Sequence, residues 1–129
     1  MFLTRAIVGL AFAGLVMLQA VATSVSIKKT TVTVDGKGWD IATTGTVTMG
    51  SNANPPWKTY SAYYRDPNNN VVPASIVGNF PAPASGQTGT FNIQTNPLKQ
   101  FLKGQWTVIV QVTDSQNITA SDTQQFNVP

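Results

Sequence analysis

The side chains in this chain that could move a proton or hold a metal are few. Five aspartates, Asp35, Asp40, Asp66, Asp114 and Asp122, are its only acids, and its 129 residues include no Glu, no His and no Cys. A Ser–His triad or a Cys–His dyad lacks its base, and a zinc site of the usual kind lacks its imidazoles and thiolates. Two kinds of acid chemistry stay open. Asp66 in "RDPNNN" and Asp114 in "TDSQN" could lend oxygens to calcium beside Asn side chains and carbonyls. Neither stretch has the longer spacing, with acids at fixed offsets, of an EF-hand loop. Two Asp could also meet in space as a hydrolytic pair, although nothing in their spacing suggests it. The simpler expectation is that Asp and Asn here form turns through bonds to their own backbone. We therefore expect no catalytic residue, no metal and no cofactor.

Aromatic side chains offer a second chemistry, stacking. Trp57, Tyr60, Tyr63 and Tyr64 lie within eight residues, and Trp39 precedes them. Trp and Tyr stack on sugar rings and anchor protein partners, but they also fill cores. Strand periodicity separates the tyrosines: Tyr60 and Tyr64 share one face, and Tyr63 takes the other with Thr59 and Ser61. Tyr63 is the better candidate for the exposed ring, and Trp57, after Pro55-Pro56, is placed at a loop mouth. Trp57 and Tyr63 are the candidate ligand contacts. An exposed planar row of the two would favour carbohydrate, and an apolar patch with a polar rim would favour protein.

Asn117-Ile118-Thr119 matches the N-glycosylation acceptor pattern at a turn, so Asn117 is the candidate modification site in a host with that pathway. The formal net charge is +3 and only 10% of residues are charged, with Lys28 and Lys29 the only adjacent cations. That is no nucleic-acid footprint. Lys28, Lys29 and Lys37 read as solvated charges that deter edge pairing.

These residues need a scaffold and an address. Arg5 precedes an apolar run from Ala6 to Leu18, then Gln19 and Ala20-Val21-Ala22. This order matches a secretory leader with an A-x-A cleavage site, and the run is shorter than the roughly 20 residues of a spanning helix. The expected division is a leader helix over 1–22, cut after Ala22, and a domain over 23–129. An uncleaved N-terminal anchor is the alternative. Cleavage would remove Arg5, leaving seven Lys and Arg against five Asp, a net of +2. The destination is extracellular, cell-surface or periplasmic according to the host.

From Val25 onward the pattern is that of strands. "VSIKKTTVTV" changes phase near Lys29, which predicts a bulge or a kinked first strand. "DGKG" is a turn, and "WDIATTGTVTM" buries Trp39, Ile41, Thr43, Gly45, Val47 and Met49 on one face. "WKTYSAYYR" follows the loop "GSNANPP", and "VVPASIVGNF" reads as a weak edge strand interrupted by Pro73. "TGTFNIQT" points Phe91 and Ile93 inward, and "NPLKQFLKGQ" reads as a helical turn or a corner around Leu98, Phe101 and Leu102. In "QWTVIVQV", Trp106, Val108, Val110 and Val112 share a face opposite Ile41 or Val47 and Phe126. Ile109 on the other face marks this strand as central. About seven strands at near-regular spacing predict a single antiparallel β-sandwich, with a closed barrel as the structural alternative.

The ending has a further likeness. Gly104, Trp106, Val108–Val112, Asp114 and Phe126–Val128 resemble the last two strands of immunoglobulin-like β-sandwich modules, most of all the polycystic-kidney-disease and bacterial immunoglobulin-like types. Those modules carry Tyr where this chain has Trp106, and an indole can only donate a hydrogen bond. The resemblance implies a non-catalytic extracellular module for adhesion, spacing or binding, with a carbohydrate or protein partner. The alternative is a small secreted hydrolase or enzyme-accessory domain using Asp and Tyr.

Overall fold

The computed structural model describes residues 20–35, 38–97 and 101–129. Residues 1–19 of the expected leader helix, Gly36 and Lys37 of the "DGKG" turn, and Leu98 lie outside the described residues; Ala20, Val21 and Ala22, the last three of the expected leader, are described and are not helical. Among the described residues eight strands form: β1 (Ser24–Asp35), β2 (Gly38–Thr48), β3 (Thr59–Arg65), β4 (Val71–Pro73), β5 (Ser75–Ile76), β6 (Thr88–Gln94), β7 (Gly104–Thr113) and β8 (Thr119–Val128). They pair antiparallel in two four-stranded sheets, β1-β2-β6-β5 and β4-β3-β7-β8. The sheets pack face to face as a sandwich. Among the described residues no helix is long and apolar enough to cross a membrane.

Alternation decides which side chains fill the space between the sheets. From β2 come Ile41, Thr43 and Val47, from β6 Phe91 and Ile93, and from β7 Trp106, Val108, Val110 and Val112, all buried. Gly45 belongs to the same inward set for a steric reason. A methyl group there would lie 2.4 Å from the Ser26 carbonyl oxygen and 2.5 Å from Cζ of Phe91, so glycine makes the room that the Phe91 ring occupies. β7 lies between β3 and β8, as its two apolar faces predict. Phe126 is not opposite Trp106; it is its cross-strand neighbour in the same sheet, with ring centroids 6.4 Å apart.

The phase change in the first strand is a bulge between Ile27 and Lys29. It frees the Ile27 amide, which donates to Oδ2 of Asp122 at 2.7 Å. Asp122 and Gln124 point inward from β8, the edge strand of the other sheet, and Thr30 donates to Gln124 Oε1 at 2.9 Å. Inward polar groups of this kind satisfy the bulge and discourage edge-to-edge pairing.

One strand expectation needs correcting. "VVPASIVGNF" is two short strands in different sheets: β4 pairs with β3 and β5 with β6, with Ala74 between them. Pro73 has no N–H to continue the ladder beyond Tyr63, so the chain leaves the second sheet there and crosses to the first. The count is therefore eight where about seven are expected.

Candidate functional site

The acids are placed first, because their positions decide what acid chemistry is available. Asp66–Asn70 and Asp114–Ile118 are two copies of one turn. In each, Oδ1 of the aspartate accepts from the amides two and four residues on: Asn68 and Asn70 at 2.9 Å each, Gln116 and Ile118 at 2.8 and 3.0 Å. In each, the aspartate carbonyl accepts from the Asn three residues later, and that Asn has a positive φ, 66° at Asn69 and 63° at Asn117. Asn tolerates this left-handed geometry better than most residues. The carboxylates thus do the backbone work expected of them.

The same register separates them. Asp66 follows Arg65, which faces Thr107, while Asp114 follows Thr113, which faces Thr59. The two turns therefore lie at opposite ends of β3 and β7, roughly 20 Å apart, well outside the range of a hydrolytic carboxylate pair. Among the described residues no group of three or more potential metal-ligating side chains gathers.

Asp114 is nearly inaccessible, 2% exposed. Its Oδ2 accepts from the Thr23 hydroxyl, and Thr23 Oγ1 in turn accepts from the Gly50 amide at 2.9 Å. Burial pushes this carboxyl up, but the hydrogen bonds from Thr23, Ile118 and Gln116, with the nearby Lys58 charge, outweigh it and hold Asp114 below its ordinary value.

The aromatics divide in a way the alternation alone does not predict. Trp57 is 7% exposed, and its indole N–H donates to the Pro81 carbonyl at 2.7 Å. It is a core residue at the end of the sandwich. Tyr63 does face outward from β3 but is half-buried, with the Arg65 guanidinium 5.4 Å from its ring centroid and Ile109 and Pro73 as cross-strand neighbours. The two do not form a row: one lies inside the sandwich and the other on the outer surface of the second sheet.

The exposed ring is Tyr60, 50% accessible although it shares the inward face with Tyr64. The reason is the short neighbour strand. β4 pairs only with Tyr63–Arg65, so the beginning of β3 is an uncovered edge and Tyr60 reaches solvent past it. Phe80 lies flat on Tyr60, with centroids 4.3 Å apart and planes 3° from parallel, and Phe80 continues to Phe91 in the core at 5.8 Å.

The loop bearing Phe80 is fixed at two points. Trp57 holds the Pro81 carbonyl, and Pro81 packs on Gly89 of β6, where a methyl group would lie 2.7 Å from Pro81 Cβ. The result is an aromatic ledge, Tyr60 on Phe80, anchored to the core by Trp57, Pro81 and Gly89. The ledge is not legible in the sequence, because Phe80 is distant from Tyr60 along the chain and its contact depends on how β5 and its loop cross the sandwich. The closeness of Trp57 to Tyr60 in sequence was the one available signal.

Two hollows are seen among the described residues. One of about 300 Å³ is lined by Val21, Thr23, Gly50, Asn52, Asp114 and Ile118 among others. The other, about 320 Å³, lies on the outside of the first sheet between Lys29, Thr31, Thr44, Val77, Asn92 and Gln94. Asn117 is exposed at its turn, its side-chain oxygen accepting from Lys58 Nζ, and Thr119 is exposed two residues on. No protein-family model matches the chain, and no curated protein shows significant similarity to it.

Proposed function

We propose that this chain is a secreted, non-catalytic immunoglobulin-like module that binds carbohydrate or protein through the ledge of Tyr60 and Phe80. The observation that carries the proposal is the exposed, parallel Tyr60–Phe80 stack held rigidly from beneath. A ring already ordered by packing loses little freedom on binding, and the Tyr60 face turned from Phe80 offers a planar apolar surface to a sugar ring or a partner side chain. Tyr63, the outward contact expected from the sequence, supplies a secondary surface with Arg65 and Ile109. Trp57 acts as a positioning residue, through Pro81.

The module reading has two supports. The strand orders β1-β2-β6-β5 and β4-β3-β7-β8 follow the ABED and CFG arrangement of immunoglobulin-like sandwiches, with β4 as one extra strand beside the third. Trp106 Nε1 donates to the Leu102 carbonyl four residues upstream at 2.7 Å, the same kind of backward bond that a corner tyrosine makes in those modules. The leader pattern supports export, and Asn117 stands as an accessible acceptor in a host that glycosylates. Titration of the exported protein against a glycan array and candidate surface proteins, with Tyr60→Ala beside it, tests the reading.

A further inference from the structure

The residues around the leader's cleavage motif are unevenly placed. Ala20, Val21 and Ala22 are exposed, whereas Thr23 is 8% accessible and is the first buried residue of the described chain. Val21 is tied to the loop after β2 only by backbone: its N–H donates to Ser51 Oγ at 2.7 Å and its carbonyl accepts from the Ser51 amide at 2.9 Å. Thr23 is tied by its side chain, to Asp114 and Gly50. Its backbone nitrogen faces the same crevice, since a methyl group on Gly50 would lie 2.8 Å from Thr23 Oγ1 and 3.1 Å from Thr23 N. That nitrogen is three bonds from Oγ1, and so roughly 6 Å or less from Oδ2 of Asp114.

We propose that hydrolysis of the Ala22–Thr23 bond completes the fold as well as releasing the leader: the α-ammonium freed at Thr23 pairs with the Asp114 carboxylate in the crevice beside Gly50. This rests on the export reading given above. In the step itself a leader peptidase of the host activates water. The peptide C–N bond breaks, the hydroxyl goes to the Ala22 carbonyl carbon, and the Thr23 nitrogen takes a proton and then a second at neutral pH. Asp114 accepts three hydrogen bonds, from Thr23, Gln116 and Ile118, and a carboxylate has about four acceptor positions, so one is left for the ammonium. Val21 lines the 300 Å³ hollow beside Asp114, and its departure removes one wall and the two bonds to Ser51. The new charge pair adds to the Thr23–Asp114 hydrogen bond in joining the N-terminus to the β7–β8 turn.

Among the described residues the charged group lining this crevice is Asp114, and Lys58, from the loop before β3, whose ammonium bonds Asn117, acts on it from nearby. The loop after β2 brings Ser51 and Asn52, which do not titrate, and on β8 Asp122 is engaged farther along, at Ile27. An ammonium paired in this way has its folded-state pKa raised. Its stabilisation is full below the unfolded value of about 8 and fades as pH rises through the folded value.

The test expresses the full chain with its leader in an exporting host and examines the product. Intact mass is expected to place the N-terminus at Thr23. Amine titration by NMR is expected to give about pH 9 at that terminus, against about pH 8 for an ordinary α-amine, and to return to about 8 in Asp114→Asn. Should Asp114→Asn fail to fold, acetylating the wild-type terminus replaces it. Acetylation is then expected to raise the unfolding equilibrium constant about tenfold at pH 6.5 and to change nothing above pH 10. A product that starts at Thr23 but whose amine titrates at about 8 with Asp114 intact, or whose stability ignores acetylation, overturns the ion pair and leaves export standing. A product that starts elsewhere overturns the processing step, and one that retains Met1 overturns the export reading with it.

Discussion

The Tyr64 hydroxyl on the second sheet lies 2.9 Å from Thr43 Oγ1 on the first, and both residues are buried. The contact continues through Thr30, 3.0 Å from Thr43, to Gln124 on β8. A polar thread therefore crosses an otherwise apolar core and ties β3 to β2, β1 and β8. Fully bonded, such a thread fixes the relative position of the sheets; broken, it leaves buried hydroxyls unpaired.

Tyr64→Phe is accordingly expected to cost about 1–2 kcal/mol by denaturant unfolding at neutral pH, with the fold unchanged. Burial, foremost, raises the Tyr64 phenol to about 12; the Thr43 hydrogen bond opposes this and Asp40 adds to it. A phenol raised above its unfolded value of about 10 contributes stability that is full below pH 10 and is lost as pH rises toward 12. Wild type should therefore lose on the order of 2 kcal/mol more than Tyr64→Phe between pH 9.5 and 11.5. Parallel alkaline limbs for the two proteins would contradict the assignment.

Asp114 contributes to the acid limb. Its carboxyl is held below the ordinary 3.8 because its hydrogen bonds and Lys58 outweigh its burial. Its contribution is thus present above about pH 4 and lost as pH falls through the folded value. Asp114→Asn should be less stable at pH 6 and show a shallower loss of stability between pH 5 and 2, read by urea midpoints.

Trp106 tests the face assignment of β7. Trp106→Ala is expected to cost about 3–5 kcal/mol, from lost burial against Phe101 and Phe126 and from the cavity left. Trp106→Phe keeps much of the volume but orphans the Leu102 carbonyl and should cost less. Thr107→Ala, on the half-buried outer face, should cost under about 1 kcal/mol. Equal losses for Trp106→Ala and Thr107→Ala would show the faces to be misassigned.

Much of the fold is legible in the sequence because alternation is a local signal. Trp106 through Val112, Ile41 through Val47, and Phe91 with Ile93 all point where their spacing says, and the phase change at Lys29 marks the bulge. The crossing at Ala74 is not legible, since two short strands in different sheets and one interrupted strand share a sequence pattern. The aromatic site fails for a related reason. Alternation assigns Tyr63 outward and Tyr60 inward, but exposure also depends on how far the neighbouring strand runs, and β4 stops short of Tyr60. Pro55-Pro56 places Trp57 at a loop mouth, but its ring is drawn inward by the Pro81 carbonyl, a partner 24 residues away.

Trp57 and Gly89 should act on binding through the loop they hold. Trp57→Phe removes the bond to Pro81, and Gly89→Ala pushes on the same proline. Each is expected to weaken binding by roughly threefold to tenfold and to loosen Phe80, visible as faster amide exchange at residues 77–83. Unchanged exchange in both variants would separate Trp57 from the ledge.

The most direct measurement is the affinity of the exported protein for its best glycan or surface-protein ligand, compared with Tyr60→Ala and Tyr63→Ala, at low and high salt and with a calcium chelator. Tyr60 is half exposed, so its truncation should leave the fold intact. Tyr60→Ala is predicted to weaken binding by roughly 10- to 100-fold, about 1–3 kcal/mol, and Tyr63→Ala by less. Salt and chelator should change little, because stacking rather than charge carries the contact. Binding untouched by Tyr60→Ala, or abolished by the chelator, would contradict the account and return attention to the Asp66 and Asp114 turns.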